Sequence, residues 1–299
     1  MTATERPFRF AVQGGPFGDP AALADHARLV ESLGYDELWS ADHIGSVDPL
    51  APLLAAALAT TTLRVGPLVL NNEFHHPALL ARTAATIDRL TGGRLTLGFG
   101  TGYQLSEHTA TGIELRPPGP RVTRLGESLE AVRALLDTGA AHVDGEHHTL
   151  AVDDLGVRPA QEHVPFLIGG HGRRVVALAG RYADIYQFTG LAHAPDGAIS
   201  IPGFDLAELE QRAAWLGEAA GDRDAAIERS ALVQAVAVDR DLDQTFGLSP
   251  ETLAEIPFVL AGSVEQIVDK LERLRERLGI THYVVRDAEQ FAPVVAALA

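Results

Sequence analysis

Apolar positions along this chain alternate between short β-branched runs and longer stretches with helical spacing. The pattern is clearest from Arg64 to Gly102. Arg64–Leu70 is an apolar run with no helical period. Pro77–Thr91 then sets Leu79, Leu80, Ala84, Ile87 and Leu90 at helical spacing, with Pro77 in the first turn, where a missing N–H costs nothing. Gly92-Gly93 closes that helix, and Arg94–Gly100 is the next strand. This is a strand–helix–strand unit of a parallel sheet. Its strands end in Asn71-Asn72 and Thr101-Gly102, and the carboxyl ends of parallel strands are where such folds bind ligands.

The same alternation predicts further strands at Phe8–Val12, Asp36–Ser40, His163–Ile168, Asp184–Phe188, Ser230–Val238 and His282–Arg286. The predicted helices between them are Pro20–Leu33, Pro49–Thr60, Arg121–Leu136, Arg173–Arg181, Asp205–Ala220, Val264–Leu278 and Glu289–Ala299. Eight strands alternating with helices favour a TIM (β/α)8 barrel over a doubly wound sheet, with residues 1–299 as one domain. Gln104–Pro120, Gly190–Pro202 and Asp239–Pro257 are too long for barrel loops and read as insertion segments. Val143–Asp154 reads as a small hairpin, GEHHTL against AVDDL.

Composition narrows the chemistry. There is no cysteine, which excludes disulfides, thiolate metal sites and cysteine catalysis and fits a cytoplasmic protein. No apolar run is long enough to span a membrane, and the first residues show no secretory pattern. A net charge of −16 disfavours nucleic acid and anionic membranes as partners, so an anionic ligand needs local donors. Lys270 is the only lysine. It lies in SVEQIVDKLERLRERLG, on what reads as a solvated helix face, which argues against Schiff-base chemistry.

Three strand ends carry candidate chemistry. Strand two ends in Asp42-His43, a general acid/base with an orienting carboxylate. Strand five runs into Gly169-Gly170-His171-Gly172-Arg173-Arg174 at a helix start, a cradle for a phosphate. Strand four ends in Gly98-Phe99-Gly100-Thr101-Gly102, which misses the GxGxxG spacing and runs into the broken pattern LSEHTATGIEL rather than a clean helix. His75-His76 and His147-His148 are adjacent pairs that point apart, no HExxH or His-x-His motif occurs, and no metal site is expected. Strands four and seven offer Thr101, Gly102 and Val236 rather than glycosidase carboxylates, and there is no GxSxG elbow.

Taken in order, RPFRFAVQ, LGYDELWSADHIG, LRVGPLVLNNEFHHPALLARTAATIDRLTGGRLTLGFGTGY, PPGPRVTRLGESLEAVRALL, VPFLIGGHGRRVVALAGRYADI and GSVEQIVDKLERLRERLGITHYVV cover almost the whole chain. They resemble the luciferase-like monooxygenase superfamily, in particular its coenzyme F-420-dependent (deazaflavin) oxidoreductases, which are TIM barrels with insertion segments. The resemblance implies hydride transfer between the deazaflavin and a small organic substrate. It implies that Asp42 and His43 line the ring, with His43 moving the proton and Asp42 tuning it. It implies a cis peptide between Leu68 and Val69 behind the ring, contacts to the cofactor from Asn71, Thr101 and Gly102, and its phosphate on Gly169, Gly170, His171, Gly172 and Arg173. Gln13, Tyr103 and Arg286 are the expected substrate contacts. Tyr103 and His108 depart from residues common in relatives, which bears on substrate. A homodimer is expected, with Pro49–Thr60 available to it. Two alternatives remain: an FMN-dependent monooxygenase on the same fold, and a non-catalytic flavin-binding protein, against which Asp42-His43 argues.

Overall fold

The computed structural model describes residues 6–190, 192–193, 199–200 and 205–299. In chain order the elements are β1 (Arg9–Gln13), α1 (Pro20–Ser32), β2 (Glu37–Ser40), α2 (Ala51–Leu58), β3 (Arg64–Pro67), β4 (Leu70–Asn71), α3 (Pro77–Leu90), β5 (Leu97–Gly100), α4 (Leu105–Thr111), α5 (Pro118–Thr138), β6 (Ala141–Asp144), β7 (Thr149–Val152) and β8 (Phe166–Gly169). They continue with α6 (Arg173–Tyr182), β9 (Ile185–Phe188), β10 (Ala192–His193), β11 (Ile199–Ser200), α7 (Leu206–Ala220), β12 (Glu228–Leu232), β13 (Ala235–Val238), α8 (Pro250–Glu255), β14 (Val259–Gly262), α9 (Val264–Leu278), β15 (Ile280–Val285) and α10 (Ala288–Leu298).

Nine strands pair in the order β3-β2-β1-β15-β12-β9-β8-β5-β4, and every pairing in that sheet is parallel. β3 and β4 are two halves of one stave, parted at Leu68-Val69, so the ring closes as eight staves with helices outside, as expected of a TIM barrel. Side chains fill the interior in layers. At the amino-terminal floor Arg9 bridges Glu37 at 3.0 Å and Glu228 at 2.7 Å, and Arg64 approaches Glu37 at 3.5 Å. Each buried carboxylate of that floor thus faces a guanidinium, with Asp36 a further 4.0 Å neighbour of Arg9, the pairing burial demands. Above it lie Ala11, Trp39, Leu68, Leu167, Ile185 and Val284. This apolar plug seals the barrel and leaves only the carboxyl end open.

Beyond shifts of a few residues at element ends, the structure departs from expectation as follows. The seventh strand divides: β12 is the stave, whereas β13 leaves the barrel to pair with β14, so the seventh stave ends at Leu232 and Val236 lies off the mouth. The hairpin pairs Ala141–Asp144 with Thr149–Val152, its turn falling on the segment read as a strand. LSEHTATGIEL forms α4, closed by Gly112 in the left-handed region. Lys270 is buried rather than solvated, because it falls with Ile267, Leu271, Leu274 and Leu278 on the apolar stripe of α9. The insertion Gly190–Pro202 is described only through the antiparallel pair β10–β11; its other residues lie outside the described ones. Among the described residues no helix is long and apolar enough to cross a membrane.

His148 packs between the hairpin and α5, where its Nε2 lies 2.9 Å from the Ser128 hydroxyl. Burial, with help from the Arg124 charge, lowers its pKa to about 4. The unfolded chain therefore takes up this proton first as pH falls below about 6.5, and the stability it contributes is complete above that pH and lost on the way to about 4. His148→Gln keeps an acceptor for Ser128 and removes the titration. Between pH 7 and pH 5 the wild type should lose up to about 2 kcal/mol more stability than this variant in urea unfolding; parallel losses would contradict the assignment.

Candidate active site

A cavity of about 690 Å³ opens at the carboxyl end of the barrel. Its shape begins with glycines. Leu97 and Phe99 of β5 face the outer core, which turns Gly98 and Gly100 inward. A Cβ on Gly98 would stand 2.0 Å from the Pro67 carbonyl oxygen, and one on Gly100 2.6 Å from Val69 Cγ2. The third stave can therefore lean on the fourth and present Leu68, Val69 and Leu70 as an apolar wall of the cavity. The Leu68–Val69 peptide bond is cis, as the resemblance implies. Gln13 Nε2 donates to the Leu68 carbonyl at 2.8 Å and fixes that wall from the first stave. Gly102 has φ of 74°, and a Cβ there would stand 2.0 Å from Asn71 Oδ1. Asn71 packs beneath it, accepts from the Glu73 N–H and donates to His108 Nε2 at 3.0 Å. The dinucleotide-like cluster thus serves close packing between two staves.

Asp42 and His43 part company as they leave β2. Consecutive residues in extended chain face opposite ways, so Asp42 does not reach His43. Its Oδ2 accepts from the Asn71 N–H at 2.9 Å and from His75 Nε2 at 2.8 Å. His43 Nδ1 instead meets Glu107 Oε1 at 2.7 Å, and its Nε2 lies 3.4 Å from the Tyr103 hydroxyl. The expected Asp42–His43 tuning is thereby corrected: the orienting carboxylate is Glu107, carried by α4. With Nδ1 committed to that carboxylate, Nε2 is the atom left to give or take a proton inside the cavity. Tyr103 edges against the His43 ring at 5.9 Å, and burial followed by the Glu107 charge raises its phenol pKa, so its hydroxyl stays protonated.

On the far side Gly169, Gly170 and His171 line the cavity, and Gly172 caps α6. Here too the backbone is tightly packed: a Cβ on Gly170 would meet Val175 Cγ1 at 2.6 Å. Arg173 does not join. Its side chain runs along the outer surface to Glu218 at 3.0 Å, since the first turn of α6 packs against α7. The cation on the wall is Arg121, from the first turn of α5. One Nη donates to the Gly102 carbonyl, and its buried Nε has no partner among the described residues. Burial lowers its pKa. Arg286 also lines the cavity, from the end of the eighth stave, and donates to Gln234 Oε1 at 3.1 Å. It has no carboxylate within 4.0 Å among the described residues. No cluster of His, Asp and Glu among the described residues suits a metal ion.

Glu107, Arg121 and Gln234 line the cavity, with His75 holding Asp42 beside it, and none of these four stands out in the sequence. Glu107 lies in LSEHTAT, whose broken pattern hides the short helix α4 that carries it to His43. Arg121 opens a predicted helix, where a carbonyl-facing arginine has no local signature.

An eight-stave parallel barrel, sealed below and open above onto an acid–histidine pair and a glycine turn, defines a class of small-molecule enzymes. The luciferase-like monooxygenase family model matches residues 5–236, and the chain belongs to that family. A 5,10-methylenetetrahydromethanopterin reductase of Archaeoglobus fulgidus is 28% identical over 262 residues, 88% of this chain and 73% of the relative. The coenzyme F420-dependent tetrahydromethanopterin reductase of Methanopyrus kandleri superposes with a TM-score of 0.76 at 20% identity, covering 97% of each chain. An F420-dependent secondary alcohol dehydrogenase superposes at 0.75 with 21% identity, covering 98% of this chain and all (100%) of the other. At these identities the two structures establish the fold.

The packing of Gly102 on Asn71 is open to test. Gly102→Ala adds a Cβ at left-handed φ into the Asn71 side chain and should lower unfolding free energy by at least about 1 kcal/mol. Unchanged denaturant stability would show that the mouth does not depend on this contact.

Proposed function

We propose that the protein is a coenzyme F-420-dependent oxidoreductase that transfers a hydride between the deazaflavin and a small organic substrate. The observation that carries the reading is one cavity holding a histidine oriented by a carboxylate, an apolar wall, and an unpartnered buried guanidinium N–H. The relative named as a methylenetetrahydromethanopterin reductase supports it. The residues present suit the cofactor. Leu68, Val69 and Leu70 offer a flat apolar surface to a ring system, and Asn71, Thr101 and Gly102 border it. The turn at Gly169–Gly172, with the α6 N-terminus behind it, and the orphaned Nε of Arg121 suit a phosphate. Bound there, the deazaflavin would supply hydride chemistry at a ring carbon.

This chain's own part is positioning and proton management. Glu107 holds the His43 ring through Nδ1, which leaves Nε2 to give or take the proton that accompanies the hydride. Tyr103 restricts the His43 ring and bounds the substrate side. Gln13 and Arg286 anchor substrate, Arg286 being steadied by Gln234. In a chain of net charge −16, that guanidinium gives a polar substrate its point of entry.

The same reading takes the protein as a cytoplasmic homodimer. α2 has no polar residue, yet Leu58 is 63% exposed, and on the next helix around the ring Leu79 and Leu90 are exposed as well. A helix apolar on every face suits a covered position.

His43→Ala should lower turnover by about 10²–10⁴-fold with little change in cofactor affinity, and Glu107→Gln should lower it further than Asp42→Asn does, measured as F-420 oxidation or reduction across alcohols, aldehydes and enones. Full turnover in His43→Ala would remove the histidine from the mechanism.

A further inference from the structure

Away from the barrel mouth, the segment joining β13 to α9 folds over a second cavity, of about 420 Å³. Lys270 stands in its wall, buried to 6% exposure. Its amine donates to the carbonyl oxygens of Leu253, in α8, and Val259, in β14, each at 2.6 Å. An ammonium carries three N–H groups, and the described residues supply no third acceptor. One turn along α9, Arg273 lines the same cavity and has no carboxylate within 4.0 Å among the described residues. Asp269 borders it too, and much of the remaining wall is apolar, with Leu242, Leu253 and Val259.

We propose that this cavity is a second small-molecule site, fitted to a monocarboxylate with a short apolar tail, whose oxygens complete the donors of Lys270 and Arg273. With Lys270 protonated, two cations against one carboxylate leave the wall with a single positive charge. That matches a monoanion. The apolar part of the lining, Leu242, Leu253 and Val259, suits a short tail, which an inorganic ion would leave unfilled.

The amine also gives the site a pH dependence. Burial, reinforced by the Arg273 charge, lowers the Lys270 pKa to about 7. The charged groups facing it from α9 are Asp269 and Arg273; Glu251 and Glu255 of α8 are exposed and outside the cavity wall. A carboxylate binds the ammonium form, so binding draws a proton onto Lys270 and is tighter below pH 7 than above it.

Because Lys270 is the only lysine, protein labelled with ε-13C lysine gives one side-chain signal that reports this site directly. The probe is sodium hexanoate, with 1-hexanol and inorganic phosphate for comparison. Hexanoate should shift the signal saturably at pH 6, raise the Lys270 titration midpoint, and bind about ten-fold more weakly at pH 8. Hexanol and phosphate should produce no saturable shift. Arg273→Gln should weaken hexanoate by about five-fold or more while the lysine signal still titrates. Absence of a saturable hexanoate shift at tens of millimolar would overturn the proposal. So would an equal response to hexanol or phosphate, or an affinity indifferent to Arg273→Gln.

Discussion

The mouth of this barrel depends on one close approach, that of the third stave to the fourth. Gly98 and Gly100 leave no side chains on the inner face of β5, and Gly66 packs likewise, since a Cβ there would stand 2.3 Å from the Thr96 carbonyl oxygen. Without that bare face the chain at 67–70 would be pushed toward the barrel axis, into the volume of the cavity. With it, residues 68–70 form an apolar wall, Gln13 ties the wall to the first stave, and Asn71 tucks under Gly102. Backbone proximity here creates a flat surface that side chains alone would not.

The polar half of the site follows from a second local constraint. Because Asp42 and His43 face opposite ways, two separate carboxylate–histidine pairs arise, Asp42 with His75 and Glu107 with His43. The first braces the polar end of the third stave. The second keeps a reactive ring in place. Both carboxylates are thereby held by fixed donors rather than left to solvent. Arg121 and Arg286, set at different points of the rim, supply that cavity with guanidinium donors for anionic or electron-rich ligand groups.

Much of this was legible in the residues. The strand–helix alternation locates all eight staves, because short apolar runs buried on both faces stand apart from period-3.6 stretches whatever the detail of packing. The helix Val264–Leu278 matches residue for residue, its Ser263–Gln266 capping box and Gly279 stop being local signals. What the pattern misjudged are matters of direction and partner choice. Leu79 and Leu90 fit the helical spacing of α3 yet lie outside, while Ala81 and Ala85 are buried. Lys270 was judged by its charge, although its spacing places it on the buried stripe. Arg173 stands beside a glycine turn but turns toward α7. The partner of His43 comes from 64 positions along the chain, on an insertion helix too short to announce itself by periodicity. Such long-range pairings are products of closure of the ring, which no local pattern records.

The central claim is that the cavity holds a deazaflavin in the pocket formed by the third-stave wall, Arg121 and the turn at Gly169–Gly172. The most direct measurement is a pair of calorimetric titrations of the purified protein, one with F-420 and one with FMN, each repeated with Arg121→Met. The account predicts saturable uptake of F-420, tighter than that of FMN, and a loss of affinity when Arg121 is replaced. Absence of F-420 uptake, a preference for FMN, or indifference to Arg121 would contradict it.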